Sequence, residues 1–177
     1  MNKTIIIAEA GVNHNGDIEL AKKLIDAAAA AGVDFVKFQT FKANKIVSPN
    51  AKKADYQLKN AGKEDESQFK MLKKLELSNT DHQVLISYCQ KKNIKFFSTA
   101  FDVDGISYLS SLGFDLFKIP SGELTNYPYL KAIAQTKRPV ILSTGMANLD
   151  EIRVAINVLI TNGTKKEQLT VLHCNTE

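Results

Sequence analysis

The chain has 177 residues, of which 44% are hydrophobic and 24% are charged, and its formal net charge is +4. This length allows one domain with a substantial hydrophobic core. The lysines and arginines form no basic stripe with interleaved aromatic residues, which argues against a nucleic-acid-binding protein. No apolar run is long enough to span a membrane or to serve as a signal peptide, so we expect a soluble protein without a membrane partner.

The two cysteines, Cys89 and Cys174, lie far apart in the sequence and have no metal-binding spacing. A chain with so few cysteines and no leader is typical of a reducing compartment. We therefore expect a cytoplasmic protein.

Short apolar runs alternate with helical patterns along the whole chain. The predicted strands are residues 4–8, 35–41, 95–99, 116–119, 140–143 and 169–173, and the predicted helices are residues 17–31, 67–75, 79–92, 102–112, 127–136 and 149–161. The segment 42–65 is polar and weakly periodic, and we interpret it as a lid over the functional site.

This alternation of strands and helices predicts an α/β fold with a parallel sheet and helices outside it. Successive strand residues point to opposite faces, so each predicted strand places a polar residue, near its carboxyl end, on the same face as a preceding apolar one. An open doubly wound sheet has its site at one switch point, whereas a (β/α)8 TIM barrel gathers groups from many strand ends. We therefore predict an incomplete barrel of about six βα units.

Two lysines, Lys37 and Lys118, lie inside strand patterns, where a charge is costly unless it is compensated. Such lysines are typical of an anion-binding site or of a Schiff-base aldolase, and the alternative is a pair of surface lysines at frayed strand ends. The hydroxyls of Thr99, Ser121 and Ser143 are predicted at the same face, and they suit a phosphate or carboxylate better than an imine.

Two glutamates, Glu9 and Glu123, follow strands at the same predicted end, and beside lysines they should be ionised. Ionised carboxylates suit binding of sugar hydroxyls or positioning of a water molecule. Of the histidines, His14 is predicted to hydrogen-bond within a tight turn, His82 to lie on the surface, and His173 to point into the site.

Six segments, taken in order, resemble the bacterial N-acetylneuraminate (sialic acid) synthases. They are 7–16 (IAEAGVNHNG), 36–42 (VKFQTFK), 97–102 (FSTAFD), 118–123 (KIPSGE), 143–146 (STGM) and 173–177 (HCNTE). Each segment alone is a weak signal, but the set is specific. At 98–101 the chain has Ser-Thr-Ala-Phe where relatives commonly have Ser-Thr-Pro-Phe.

The resemblance implies a (β/α)8 barrel that condenses phosphoenolpyruvate with the open-chain aldehyde of N-acetylmannosamine, giving N-acetylneuraminate and phosphate. Glu9 matches a contact to the amino sugar, and Glu123 matches a residue near the reacting carbons that handles the water. Asn175 and Thr176 lie where the family has a further substrate contact. The phosphoenolpyruvate contacts implied are Lys37, Thr99, Lys118, Ser121 and Ser143, and the implied catalytic residues are Lys37, Lys118 and Glu123.

The resemblance also implies a divalent metal, Mn or Mg, that polarises the aldehyde. Its histidine ligands belong to the seventh and eighth strands, so we assign no metal ligand within residues 1–177. The small C-terminal antifreeze-like domain of the family, which reaches into the active site of a homodimer partner, is also absent. We expect this chain to be a partial synthase domain that is inactive alone.

Other functions remain open. Related enzymes use precursors of legionaminic or pseudaminic acid, although Phe38-Gln39-Thr40-Phe41 and the segment 53–57 look closer to the N-acetylmannosamine group. A non-catalytic anion-binding module and a Schiff-base aldolase are the alternatives from other classes.

Overall fold

The structure is a computed structural model and describes residues 4–48 and 67–175. The chain divides into two compact units, Met1–Phe97 and Ser98–Glu177. Most of the predicted lid, and the segment 53–57, lie outside the described residues.

The first unit begins with β1 (Ile7–Gly11), α1 (Ile18–Ala30) and β2 (Phe35–Thr40), followed by a short helix α2 (Ala43–Ile46). Two further helices, α3 (Gln68–Lys74) and α4 (Asn79–Lys91), precede β3 (Lys95–Ala100), which continues into the second unit. The strands are ordered β1-β2-β3, and β1 pairs with β2 in parallel. The sheet and α1 and α4 enclose a core that includes Ile25, Phe38, Leu85 and Cys89.

The first strand begins three residues later than predicted, because the chain before Ile7 makes different hydrogen bonds. The Ile6 carbonyl accepts from the backbone N–H groups of Asp34 and Phe35, and the Ile6 N–H donates to the Asp34 carboxylate. Regular pairing then starts with Ile7 opposite Phe35. Glu9 therefore lies within β1 rather than after its end.

Helix α4 begins one residue after Ser78, which is its N-cap. The Ser78 hydroxyl accepts from the Asp81 N–H and the Asp81 carboxylate accepts from the Ser78 N–H, which forms a capping box. The prediction that His82 lies on the surface is wrong, since this residue is only 1% exposed. The buried face of α4 consists of His82, Leu85 and Cys89, and Val84 is exposed.

The second unit contains α5 (Val103–Ser111), β4 (Phe117–Ile119), a 3-10 turn (Ser121–Glu123) and α6 (Tyr127–Gln135). These are followed by β5 (Val140–Leu142), α7 (Leu149–Thr161), a second 3-10 turn (Lys166–Gln168) and β6 (Leu169–Val171). The strands β4, β5 and β6 pair in parallel in that order. This sheet and its helices enclose a core that includes Leu109, Phe117, Ile133, Leu142 and Leu159.

The predicted face of the sixth strand is wrong by one residue. Lys118 lies opposite Ile141, and Ile141 lies opposite Thr170. Val171 instead shares its row with Ile119 and Leu142, whose side chains are buried in the core. Since residues two apart in a strand share a face, His173 is expected on the face of Val171 and not on that of Lys118. His173 is exposed.

Within the described parts of the chain, no helix combines the length and the apolar character needed to cross a bilayer.

Candidate functional site

The ammonium group of Lys37 is the central feature of the first unit. Lys37 lies opposite Glu9 in the register of β1 and β2, and the two side chains form an ion pair. The Lys37 side chain is only 10% exposed, whereas that of Glu9 is 54% exposed. This buried cation therefore has one identified anionic partner, and that partner is open to solvent.

A bulge in β1 shapes the surface beside this ion pair. The pairing shifts between Glu9 and Gly11, and Gly11 has a φ of +55°, a left-handed conformation that favours glycine. A Cβ atom at position 11 would lie 3.2 Å from Glu9 Oε1 and 3.7 Å from Gln39 Nε2. The bare glycine thus leaves room for the Glu9 carboxylate and for the amide of Gln39.

Two buried histidines, His14 and His82, lie beside β2. His82 Nε2 lies 2.8 Å from Thr40 Oγ1, and His82 Nδ1 lies 2.9 Å from the Ser78 carbonyl oxygen. Since a carbonyl can only accept, Nδ1 carries the proton and Nε2 accepts from Thr40. Burial lowers the pKa of His82, which is therefore held neutral.

The second histidine, His14, confirms the prediction of a turn hydrogen bond, because its Nδ1 accepts from the Gly16 N–H at 3.0 Å. Its Nε2 is buried and has no partner among the described residues. Burial again lowers the pKa, although nearby Asp81 opposes this effect.

In the second unit, Lys118 lies in β4, and Pro120 then ends the strand before the 3-10 turn that contains Ser121 and Glu123. The Glu123 carboxylate accepts from Asn126 Nδ2 at 2.6 Å. Asn126 is also the N-cap of α6, since its Oδ1 accepts from the Tyr129 N–H. One amide side chain therefore starts the helix and orients the carboxylate.

Ser143 lies directly after β5, where its N–H donates to the Ile119 carbonyl and its Oγ is 3.3 Å from Cys174 Sγ. The neighbouring Thr144 hydroxyl donates to the Leu172 carbonyl at 2.7 Å. The pKa of Cys174 lies below its usual value because Ser143 and the Thr144 N–H form hydrogen bonds to its sulfur. This loop therefore presents several hydrogen-bond donors to a group with negative character, a property that suits a phosphate or carboxylate.

Thr99 is 1% exposed, and its Oγ1 has no hydrogen-bond partner among the described residues. The next residue, Ala100, is fixed through its backbone, because its carbonyl accepts from the buried Tyr129 hydroxyl at 2.7 Å. Burial raises the pKa of Tyr129, so the phenol stays protonated and remains a donor.

The structure thus brings Glu9 to Lys37 and orients Glu123, and it places Ser143 beside Cys174, which our sequence analysis did not assign to the site. Asn175 is exposed, and Thr176 lies outside the described residues. The convergence of Lys37 and Lys118 on one cavity stays a prediction.

Within residues 4–48 and 67–175, no group of three or more His, Cys, Asp or Glu side chains is placed to hold a metal ion. The metal expected from the resemblance, with ligands outside residues 1–177, stays a prediction, and we assign no step of the reaction to it.

Comparisons with known proteins agree with the fold and with the motifs. The chain is 59% identical over its full length to an N,N'-diacetyllegionaminic acid synthase of Campylobacter jejuni, of which it covers 53%. It is 51% identical over 96% of its length to an N,N'-diacetyllegionaminic acid synthase of Legionella pneumophila, of which it covers 48%. The chain therefore spans about half the length of these relatives.

Among solved structures, the N-acetylneuraminic acid (sialic acid) synthetase of Leptospira borgpetersenii, crystallised with citrate, matches 99% of this chain. The chain covers 55% of that structure at 34% identity, with a TM-score of 0.83. These matches confirm the predicted α/β fold of the barrel type, of which this chain has only part. The NeuB family model matches residues 24–177. The chain belongs to the NeuB family.

Proposed function

We propose that this chain contributes the phosphoenolpyruvate-binding strands of an enzyme that condenses phosphoenolpyruvate with the open-chain aldehyde of an N-acetylated amino sugar. In this reaction C3 of phosphoenolpyruvate attacks the aldehyde carbon, water adds to C2, and phosphate leaves by cleavage of its C–O bond. The proposal depends above all on Lys37, a buried cation within strand β2, as expected for a group that holds an anionic substrate.

The basic and the acidic residues have different proposed roles. Lys37 and Lys118 bind the phosphate and carboxylate of phosphoenolpyruvate, and the hydroxyls of Thr99, Ser121 and Ser143 complete this site. Glu9 accepts hydrogen bonds from the sugar. Glu123, oriented by Asn126, positions the water that adds to C2.

For the acceptor, we propose the diacetamido sugar that gives N,N'-diacetyllegionaminic acid. Two relatives with this named product are 59% and 51% identical to the chain, whereas the Leptospira sialic acid synthetase is 34% identical. N-acetylmannosamine is the second candidate for the acceptor, because Phe38-Gln39-Thr40-Phe41 resembles the segment of the enzymes that use this sugar. The segment 53–57, which also entered that preference, lies outside the described residues.

The test is an assay of phosphate release and product formation by the protein that carries this chain, with phosphoenolpyruvate and each acceptor in turn. We expect turnover with the diacetamido sugar to exceed that with N-acetylmannosamine; the reverse order would establish N-acetylmannosamine as the acceptor. No condensation with either sugar would refute the proposed function.

Two lysine variants form a matched pair in this assay. Lys37→Met removes the buried cation and should lower turnover at least about a hundredfold, because a charge-assisted contact to the substrate is lost. Lys22→Met removes a surface cation that also pairs with a glutamate, Glu19, and should leave turnover unchanged. Borohydride treatment with pyruvate should trap no lysine adduct; a trapped adduct would support the aldolase alternative.

A further inference from the structure

The ion pair between Glu9 and Lys37 suggests a role for Glu9 beyond contact with the sugar. We propose that Glu9 is an internal counter-ion that an anionic substrate displaces from Lys37, so that binding of the anion releases the Glu9 carboxylate. This inference rests on the proposed function, because it concerns the same Lys37 site.

An uncompensated charge on Lys37 would destabilise the protein. Burial of an ammonium group is costly unless an anion or hydrogen-bond acceptors lie nearby, and the Lys37 side chain is only 10% exposed. The cross-strand register of β1 and β2 puts Glu9 directly opposite Lys37, so the carboxylate supplies this charge in the structure without ligand.

Separation of the Glu9–Lys37 ion pair costs little free energy on the Glu9 side. Glu9 is 54% exposed, so its carboxylate can return to water at little cost, whereas the ammonium of Lys37 cannot. Gly11 has no side chain to crowd the Glu9 carboxylate, since a Cβ atom there would lie 3.2 Å from Glu9 Oε1. The mobile partner of the pair is therefore Glu9, and the fixed one is Lys37.

A phosphate or carboxylate that reaches Lys37 competes with Glu9 for the same cation. It also meets the negative charge of Glu9, which weakens anion binding as long as the carboxylate stays close. Once displaced, Glu9 is available to accept from sugar hydroxyls, so the two substrates are coupled through one side chain. Removal of the carboxylate should then strengthen anion binding even though it removes a residue of the site.

Calorimetry at low salt measures the binding of inorganic phosphate and of phosphoenolpyruvate to the protein that carries this chain. Glu9→Gln keeps the shape of the side chain and removes its charge. We expect this variant to bind both anions about threefold to tenfold more tightly than the wild type. The gain should shrink in high salt, because screening weakens the competing charge. Glu9→Asp, with a shorter reach to Lys37, should give an intermediate gain.

Glu19→Gln is the matched control. Glu19 also pairs with a lysine, Lys22, and the substitution changes the net charge by the same amount, but this pair lies on the surface of α1. Glu19→Gln should leave the affinity for both anions unchanged. Equal affinities of Glu9→Gln and Glu19→Gln, or weaker binding by Glu9→Gln, would overturn the proposal.

A second readout covers a Glu9→Gln variant that is too unstable for calorimetry. The loss of the counter-ion of Lys37 should lower the melting temperature of Glu9→Gln. Added phosphate should raise the melting temperature more in Glu9→Gln than in Glu19→Gln. Equal phosphate-dependent shifts would contradict the proposal. If phosphate shows the Glu9 effect but phosphoenolpyruvate binds no better than phosphate, the inference stands and the proposed substrate is wrong. If phosphoenolpyruvate binds well and Glu9→Gln has no effect, only the inference fails.

Discussion

The conformation of one glycine determines how the Glu9 carboxylate is placed. Gly11 lies at φ +55° with Glu9 Oε1 close to the position of a Cβ atom, whereas Gly32 lies at φ +70° with nothing within 4 Å. Gly11→Ala and Gly32→Ala should each cost about 1 kcal/mol, because alanine is disfavoured in the left-handed region. Urea denaturation measures this cost.

Only Gly11→Ala should also alter phosphate binding, because only there does the new methyl group meet the Glu9 carboxylate. Unchanged binding in Gly11→Ala would show that the bulge does not position Glu9.

Single residues of the site differ in how well the sequence predicts them. Lys37 could be found because a lysine within an apolar strand is a strong signal on its own. Its partner Glu9 shares a strand face with Ile7, and the register confirms that this face is the one of Phe35 and Lys37. Cys174 could not be found, because its hydrogen bond to Ser143 joins residues 31 positions apart and no local pattern reports such a contact.

Helix α6 and the preceding turn share the side chain of Asn126, and two substitutions separate its roles. Asn126→Ala removes the N-cap and should cost about 1 kcal/mol in urea denaturation. Asn126→Asp keeps an oxygen for the Tyr129 N–H and should retain most of that stability, but it cannot donate to Glu123.

If Glu123 positions the water, Asn126→Asp should lower turnover about tenfold while the helix remains intact. An Asn126→Asp enzyme with normal turnover would mean that Glu123 needs no orienting donor.

At the level of elements, most helices were predicted to within one or two residues, because their caps are local signals. Asp17 and Asp102 cap α1 and α5 through hydrogen bonds to the first turn. His82 was wrongly predicted on the surface, although the spacing of His82, Leu85 and Cys89 has the period of one helix face. The face of β6 could not be predicted, because a strand of three residues gains its register only from pairing with β5.

For the whole molecule, the buried histidines predict how stability depends on pH. The pKa values of His14 and His82 are both lowered by burial, whereas in the unfolded chain a histidine titrates near 6.5. Above that pH the histidines are neutral in both states and contribute nothing. As the pH falls below about 6.5, only the unfolded chain takes up these protons, so the free energy of unfolding decreases by up to about 1.4 kcal/mol per pH unit for each histidine.

Urea denaturation between pH 7.5 and pH 5 measures this slope, because carboxylates titrate mainly below about 4.5. His82→Gln should remove about half of the slope at a cost to stability, whereas His173→Gln, at an exposed position, should leave it unchanged. A flat profile in the wild type would show that the buried histidines take up protons in the folded state.

The hydrogen bond from the Tyr129 hydroxyl to the Ala100 carbonyl has a consequence for substitutions at these two positions. A main-chain oxygen is offered by every amino acid, so the phenol holds this point of the backbone whatever side chain is attached there. A different side chain at position 100 therefore leaves this hydrogen bond in place, whereas Tyr129→Phe releases the carbonyl.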